Sequence, residues 1–216
     1  MIGFVVTTIP FLLQGLLITL EVSGLVVVIS LAVGILVGVG FAYGPLWLRL
    51  LLRGYSDILR GTPLLVLIFS VYYLLPFAGL NLQPFPAAVV ALAAFKTAHV
   101  GEIARGAIQS IAIGQTDAGK AIGLTFAQRL AYVILPQAVR RFLPPWINSV
   151  TDAVKGSALV SLVGIVDLML ASQQVIGRTY EPLPVYLLAA AIYFAINYSL
   201  STASRRLEAR FAYIRE

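Results

Sequence analysis

Gly114 to Ala121 reads GQTDAGKA, one residue short of a phosphate-binding loop, GxxxxGK followed by serine or threonine. Ala121 lacks the hydroxyl that would hold magnesium, and the stretch follows an apolar helix rather than a buried strand. Nucleotide binding is set aside, so the chain has no visible energy source and no cofactor of its own. One histidine, no cysteine and no HExxH leave nothing from which to build a hydrolytic metal centre, a disulfide or thiol chemistry. No GxSxG elbow occurs either. What remains is a set of polar residues inside apolar runs: Lys96, His99, Glu102, Asn148, Asp152, Lys155 and Ser157. A charge at the bilayer centre costs about 2.5–3.5 kcal/mol, so such residues pair with one another or line a cavity. Lys96, His99 and Glu102 recur every third residue and share a helix flank; Asp152 and Lys155 have the same spacing. The latter two either form a structural ion pair or line a passage. Two lysines at this depth favour a ligand carrying a carboxylate. His99 reads as a packed residue rather than a pH switch.

The elements that must position these residues are membrane spans. Of 216 residues, 60% are hydrophobic and 11% charged, with a mean hydropathy of +0.94; a soluble domain carries about 25% charged residues. Spans of roughly 20 residues each leave room for about five or six. An all-α polytopic membrane protein of a single domain, residues 1–216, with about five transmembrane helices follows. The spans run at about 9–41, from RGTPLLVLIFSVYYLLPF onward, 87–108, 141–170 and 185–201, the fourth broken near Gly156. The first apolar block lacks a signal peptide's basic start and cleavage site, so it is expected to be retained. Arg49, Arg53 and Arg60, flanking Asp57, follow the first span. A loop before the fifth span holds Arg178, Glu181, Pro182 and Pro184. Gly34/Gly38 and Gly40/Gly44 make two GxxxG pairs, read as close helix packing within one subunit in preference to a dimer seam. Trp47 and Trp146 read as interfacial anchors.

The net charge of +6 comes from bases at the ends of apolar runs, not from a nucleic-acid-binding patch. With the N-terminus outside and five crossings, the inner side holds Arg49, Arg53, Arg60, Arg105, Lys120, Arg129, Arg140, Arg141 and the tail arginines 205, 206, 210 and 215. The outer side holds only Arg178. The C-terminus and the stretch Asp117–Pro145 are therefore expected on the cytoplasmic side. That stretch, DAGKAIGLTFAQRLAYVILPQAVRRFLPP, is the longest polar-rich interruption in the chain. Its periodicity predicts a short helix, a turn at Gly123-Leu124 and a second helix bent at Pro136. The whole hairpin occupies about residues 109–140.

This hairpin resembles the cytoplasmic loop of ABC importer permeases, written EAA, then G, then I-x-LP. Asp117-Ala118-Gly119 stands for EAA, Gly123 for the glycine and Ile134-Leu135-Pro136 for the ending. RGTPLLV at Arg60–Val66, EIARGAIQSI at Glu102–Ile111, GQTDAGKAIGL at Gly114–Leu124, LPQAVRRFLPP at Leu135–Pro145 and KGSALVSLVG at Lys155–Gly164 are similar to the histidine/glutamine permease type, in that family's order. Asp117 and Gly119 depart mildly from the pattern, and Lys155-Gly156-Ser157 lacks the acid of the usual Lys-Asp-Ser/Thr. The resemblance implies a type I permease fold and a coupling helix of Asp117, Ala118, Gly119, Lys120, Ala121, Gly123 and Leu124, seated in a groove of a separate ATPase. Gly119 and Gly123 would allow close docking. The implied partners are an ATPase pair that holds the ATP and magnesium, a second permease subunit (identical or related), an extracytoplasmic binding protein and membrane lipid. The implied location is the bacterial inner membrane, and the implied solute a polar amino acid. A gradient-driven carrier or channel is the first rival, although it usually shows an internal repeat. A membrane scaffold docking through the hairpin is the second.

Overall fold

The computed structural model of the chain describes residues 2–212, with side chains described for residues 8–210. Arg215, counted above with the tail, lies outside them. Among the described residues there are helices and no strands. Three helices are long and apolar enough to cross a membrane outright, and five crossings result if each of two bent helix pairs counts as one.

Helix α1 (Ile2–Tyr43) is an almost uniformly apolar rod, about 63 Å long at the helical rise. It runs parallel to α4 (Pro84–Gln109), and small residues set their separation. A Cβ added to Gly34 would fall 2.6 Å from Val100 Cγ1, and one added to Gly38 2.9 Å from the Gly101 carbonyl oxygen. This GxxxG pair thus packs within the subunit. Gly40 instead faces Leu52 of α2 (Leu46–Gly61).

The charged residues after the first span lie on helix α2. Leu46, Trp47, Leu50, Leu51 and Ile58 form an exposed apolar face, while Arg49, Arg53, Asp57 and Arg60 follow one flank at helical spacing. The Tyr55 hydroxyl ties the helix to α4 by donating to the Ala94 carbonyl at 2.7 Å. α2 stops where Pro63 forces Thr62 into an extended conformation. Beyond a 106° bend come α3 (Leu64–Phe69), a widened π-type turn over Ser70–Leu74 and a 3₁₀ turn over Leu75–Ala78. Leu64–Ala78 alone extends about 22 Å, short of a hydrocarbon core of about 30 Å. The 106° bend turns α2 away from that direction, so α2 adds no length to it.

Helix α7 (Leu135–Gly156) ends at the expected break. A 3₁₀ segment, Ser157–Val163, and left-handed Gly164 follow, and then α8 (Leu168–Thr179) sets off at 52°. Asp167 caps α8 by accepting from the Leu170 amide at 2.9 Å, and Thr19 of α1 accepts from the Leu168 amide at 3.0 Å. The break thus keeps its backbone polar groups partnered at membrane depth. Residues 173–179, expected as part of a loop, are helical, and only Tyr180 and Glu181 separate α8 from α9 (Pro182–Ala212). The central core joins α1, α3, α4, α7 and the 3₁₀ segment through Val22, Val26, Ile68, Leu92, Ala153 and Val160. Trp146 is half-buried and packs on the bundle, lying 6.1 Å from Phe142 in a stacked pair. Trp47 is exposed, as an anchor requires.

Candidate functional site

Between α4 and α7 the chain leaves the bundle as a hairpin. Helix α5 (Ile113–Ala121) carries the near-match to a phosphate loop, and its helical backbone cannot cradle a phosphate as that loop does. It ends in a Schellman motif: Leu124 N donates to Gly119 O at 3.0 Å, Gly123 N to Lys120 O at 2.9 Å. Gly123 takes φ +80°, where a Cβ would be strained. Thr125 and Gln128 then form a reciprocal capping box at the start of α6 (Phe126–Arg129). The expected bend at Pro136 lies one turn earlier, in a π-type turn over Leu130–Ile134. The proline has no N–H for the carbonyl four residues back, and the widened turn absorbs that mismatch. The Gln137 side-chain amide donates to the Val133 carbonyl at 2.7 Å.

Contacts fix the hairpin to itself and to the bundle. Arg129 donates to the Leu124 carbonyl at 2.7 Å and packs over Gly119, which is buried. Gly119 is therefore small for the sake of the hairpin's own closure, not for outward docking. At the root, Arg141 of α7 donates to the carbonyl of Ser110, just past α4. Phe126 meets Tyr43 at the end of α1 edge to face, 5.1 Å between centroids. Asp117, Ala118, Lys120, Ala121 and Gly123 are exposed and Leu124 is half-buried. Lys120 and Asp117 pair at 3.0 Å on the open surface, and Ile113 and Ile122 stand 79% and 77% exposed at the helix ends.

A polar cavity of about 340 Å³ lies higher in the same two helices. α4 contributes Lys96, His99 and Glu102, and α7 contributes Asn148, Ser149 and Asp152; Arg60 at the end of α2 completes the wall. The structure thus gathers five of the polar residues expected from the sequence. It does not bring the other two in. Lys155 is exposed and bonds Asp152 at 3.1 Å without lining the cavity. Ser157 is buried and donates to the Val154 carbonyl at 2.8 Å. Arg60 and Ser149 were not anticipated; the helical spacing of Arg49, Arg53 and Arg60 was the available signal for the arginine.

Glu102 is held from both sides. Arg105 donates twice to its Oε2, at 2.8 and 2.6 Å, and Arg60 lies 3.9 Å from Oε1. His99 Nδ1 lies 3.0 Å from the Phe95 carbonyl, which leaves Nε2 unused by that bond. Lys96 is 5% exposed. The arrangement offers cations, carboxylates, an amide and a hydroxyl, the groups that bind a small zwitterion. Among the described residues no cluster of metal-ligating side chains occurs.

Comparison with known proteins agrees with this architecture. Residues 30–213 match the family described as the binding-protein-dependent transport system inner membrane component. Over 204 residues the chain is 36% identical to the probable glutamine ABC transporter permease protein GlnP of Bacillus subtilis, covering 93% of each chain. It is 35% identical to the glutamine transport system permease protein GlnP of Escherichia coli K12, covering 94% of this chain and 93% of that one. It is 33% identical to the arginine transport system permease protein ArtQ of Bacillus subtilis, with 93% and 92% covered. Its fold is similar to a crystal structure of an amino acid ABC transporter with histidines, with a TM-score of 0.89, 34% identity, and 95% and 96% of the two chains covered. The inward-facing MetNI methionine ABC transporter shares the fold at a TM-score of 0.65 and 21% identity, with 93% and 95% covered. The chain belongs to the family of binding-protein-dependent transport system inner membrane components, and is a multi-pass inner-membrane transport subunit.

Proposed function

We propose that the chain forms the membrane pathway for a polar amino acid in an ABC importer, driven by a separate ATPase seated on the hairpin. One observation carries this reading: α4 and α7, the stems of the hairpin, are also two walls of the polar cavity. A push on α5 passes through the Schellman turn, the Arg129 clasp and the Arg141–Ser110 root into the helices that bear Lys96, Glu102, Asn148 and Asp152. Hydrolysis on the partner, which carries the ATP and magnesium, would reshape the cavity without any nucleotide chemistry in this chain. The polar lining supports a zwitterionic solute, and the names of the relatives support an amino acid.

The bases counted along the chain support an external N-terminus and a cytoplasmic hairpin. A second permease subunit, the same or a related chain, would complete the pathway, and an extracytoplasmic binding protein would deliver the solute. Reconstitution of the chain with its ATPase and binding protein in proteoliposomes tests this. The reading predicts ATP-dependent uptake of at least one polar amino acid, which also stimulates hydrolysis. Uptake driven by an ion gradient with the ATPase omitted would overturn it.

A further inference from the structure

The two carboxylates that line the cavity are both tied to cations outside it. Glu102 answers both Arg60 and Arg105. Asp152 gives Oδ1 to Lys155. Lys96 and Arg60 thus line the cavity opposite two carboxylates that Arg105 and Lys155 already engage from outside it, and Lys96 forms no ion pair among the described residues. Its ammonium lies 5.9 Å from the centroid of the Phe95 ring, and Asp152 of α7 lines the same cavity. An ammonium taken out of water without a partner is costly, yet Lys96 still reaches the cavity wall. Arg60 is the second available cation, since its tie to Glu102 is long, at 3.9 Å, and its side chain is 43% exposed.

Resting on the amino-acid reading above, we infer that the cavity selects an acidic amino acid, with Lys96 and Arg60 taking its two carboxylates and Asp152 its ammonium. Such a ligand brings two negative charges and one positive to a site where Lys96 and Arg60 are the least engaged charges. A neutral amino acid leaves one cation unanswered, and arginine adds another. Opposite charges brought together out of water bind through charge-assisted hydrogen bonds, the strong class. Lys96 is therefore the specificity-determining residue of the cavity.

The test measures binding of radiolabelled L-glutamate, L-glutamine and L-arginine to the permease–ATPase complex in nanodiscs, with the binding protein left out so that it cannot impose its own preference. Glutamate is expected to bind tightest. Lys96→Ser should weaken glutamate by about tenfold or more while changing glutamine by less than about threefold; Lys96→Arg, which keeps the charge, should retain the order. Glutamine or arginine binding the native complex as tightly as glutamate would overturn the inference while the full complex still imports amino acids. If the full complex with its binding protein imports no amino acid at all, the functional reading fails and takes this inference with it.

Discussion

The Arg129 guanidinium donates to the Leu124 carbonyl at 2.7 Å and rests against Gly119, so that a Cβ on that glycine would lie 3.0 Å from two Arg129 carbons. The hairpin is thereby closed by its own side chains before any partner touches it. Gly119 and Gly123, four residues apart, perform different tasks: one makes room for a clasp, the other supplies a backbone angle.

Gly119→Val tests the clasp. The branched side chain displaces Arg129 and removes a hydrogen bond to a charged donor, worth about 1.5 kcal/mol on an exposed hairpin. Uptake per ATP hydrolysed in proteoliposomes should fall several-fold while the complex still assembles. Unchanged coupling would mean that the hairpin does not need to be closed in this way.

Packing between α1 and α4 gives a second prediction. Gly38 faces the Gly101 carbonyl at 2.9 Å from its built Cβ, whereas Gly24 has nothing within 4 Å. Gly38→Val should destabilise the subunit by about 1–3 kcal/mol, the range for overpacking, and Gly24→Ala should leave it unchanged. Thermal unfolding in detergent reads both. Equal melting temperatures for the two variants would contradict the close approach of these helices.

Asp167 separates capping from charge. Its Oδ1 caps α8 and its Oδ2 is buried without a partner among the described residues. Asp167→Asn keeps the acceptor and should fold as the native chain does. Asp167→Ala loses the cap, at about 1 kcal/mol, and should melt lower and be cut more readily by protease near residues 164–168. The reverse order would show that the negative charge itself matters at this joint.

The spans α1 and α4 were legible because long apolar runs admit little else, and the hairpin was legible through Gly123 and Pro136. Helix α2 was not, because Arg49, Arg53, Asp57 and Arg60 look like topology charges until their common flank is noticed. The end of α8 was hidden in the same way by its polar residues and the prolines that follow. Within the site, spacings of three placed Lys96, His99 and Glu102 on one flank, and the structure brings that flank to Asn148 and Asp152 of α7. Ser157 failed because five helical residues turn it about 140° from Asp152, into the core. The spacing of Arg49, Arg53 and Arg60 puts Arg60 on a helix flank, but its approach to Glu102 is a long-range contact that spacing does not report. Net charge inside a cavity depends on which groups pair across helices, and no local pattern reports that.

Sidedness can be measured cleanly because the chain contains no cysteine. A single Lys120→Cys variant should react with an impermeant maleimide only after permeabilisation of right-side-out vesicles, and Arg178→Cys should react without it. Labelling of position 120 in sealed vesicles would reverse the orientation and remove the hairpin from the ATPase.

The claim that matters most is that α5 transmits work to a cavity built on its own stems. Deleting Gly114–Gly123 and measuring ATP-driven amino-acid uptake by the reconstituted complex tests it directly. The account predicts that the shortened chain inserts in the membrane but neither retains the ATPase nor imports solute. Continued uptake at the native rate by the shortened chain would contradict it.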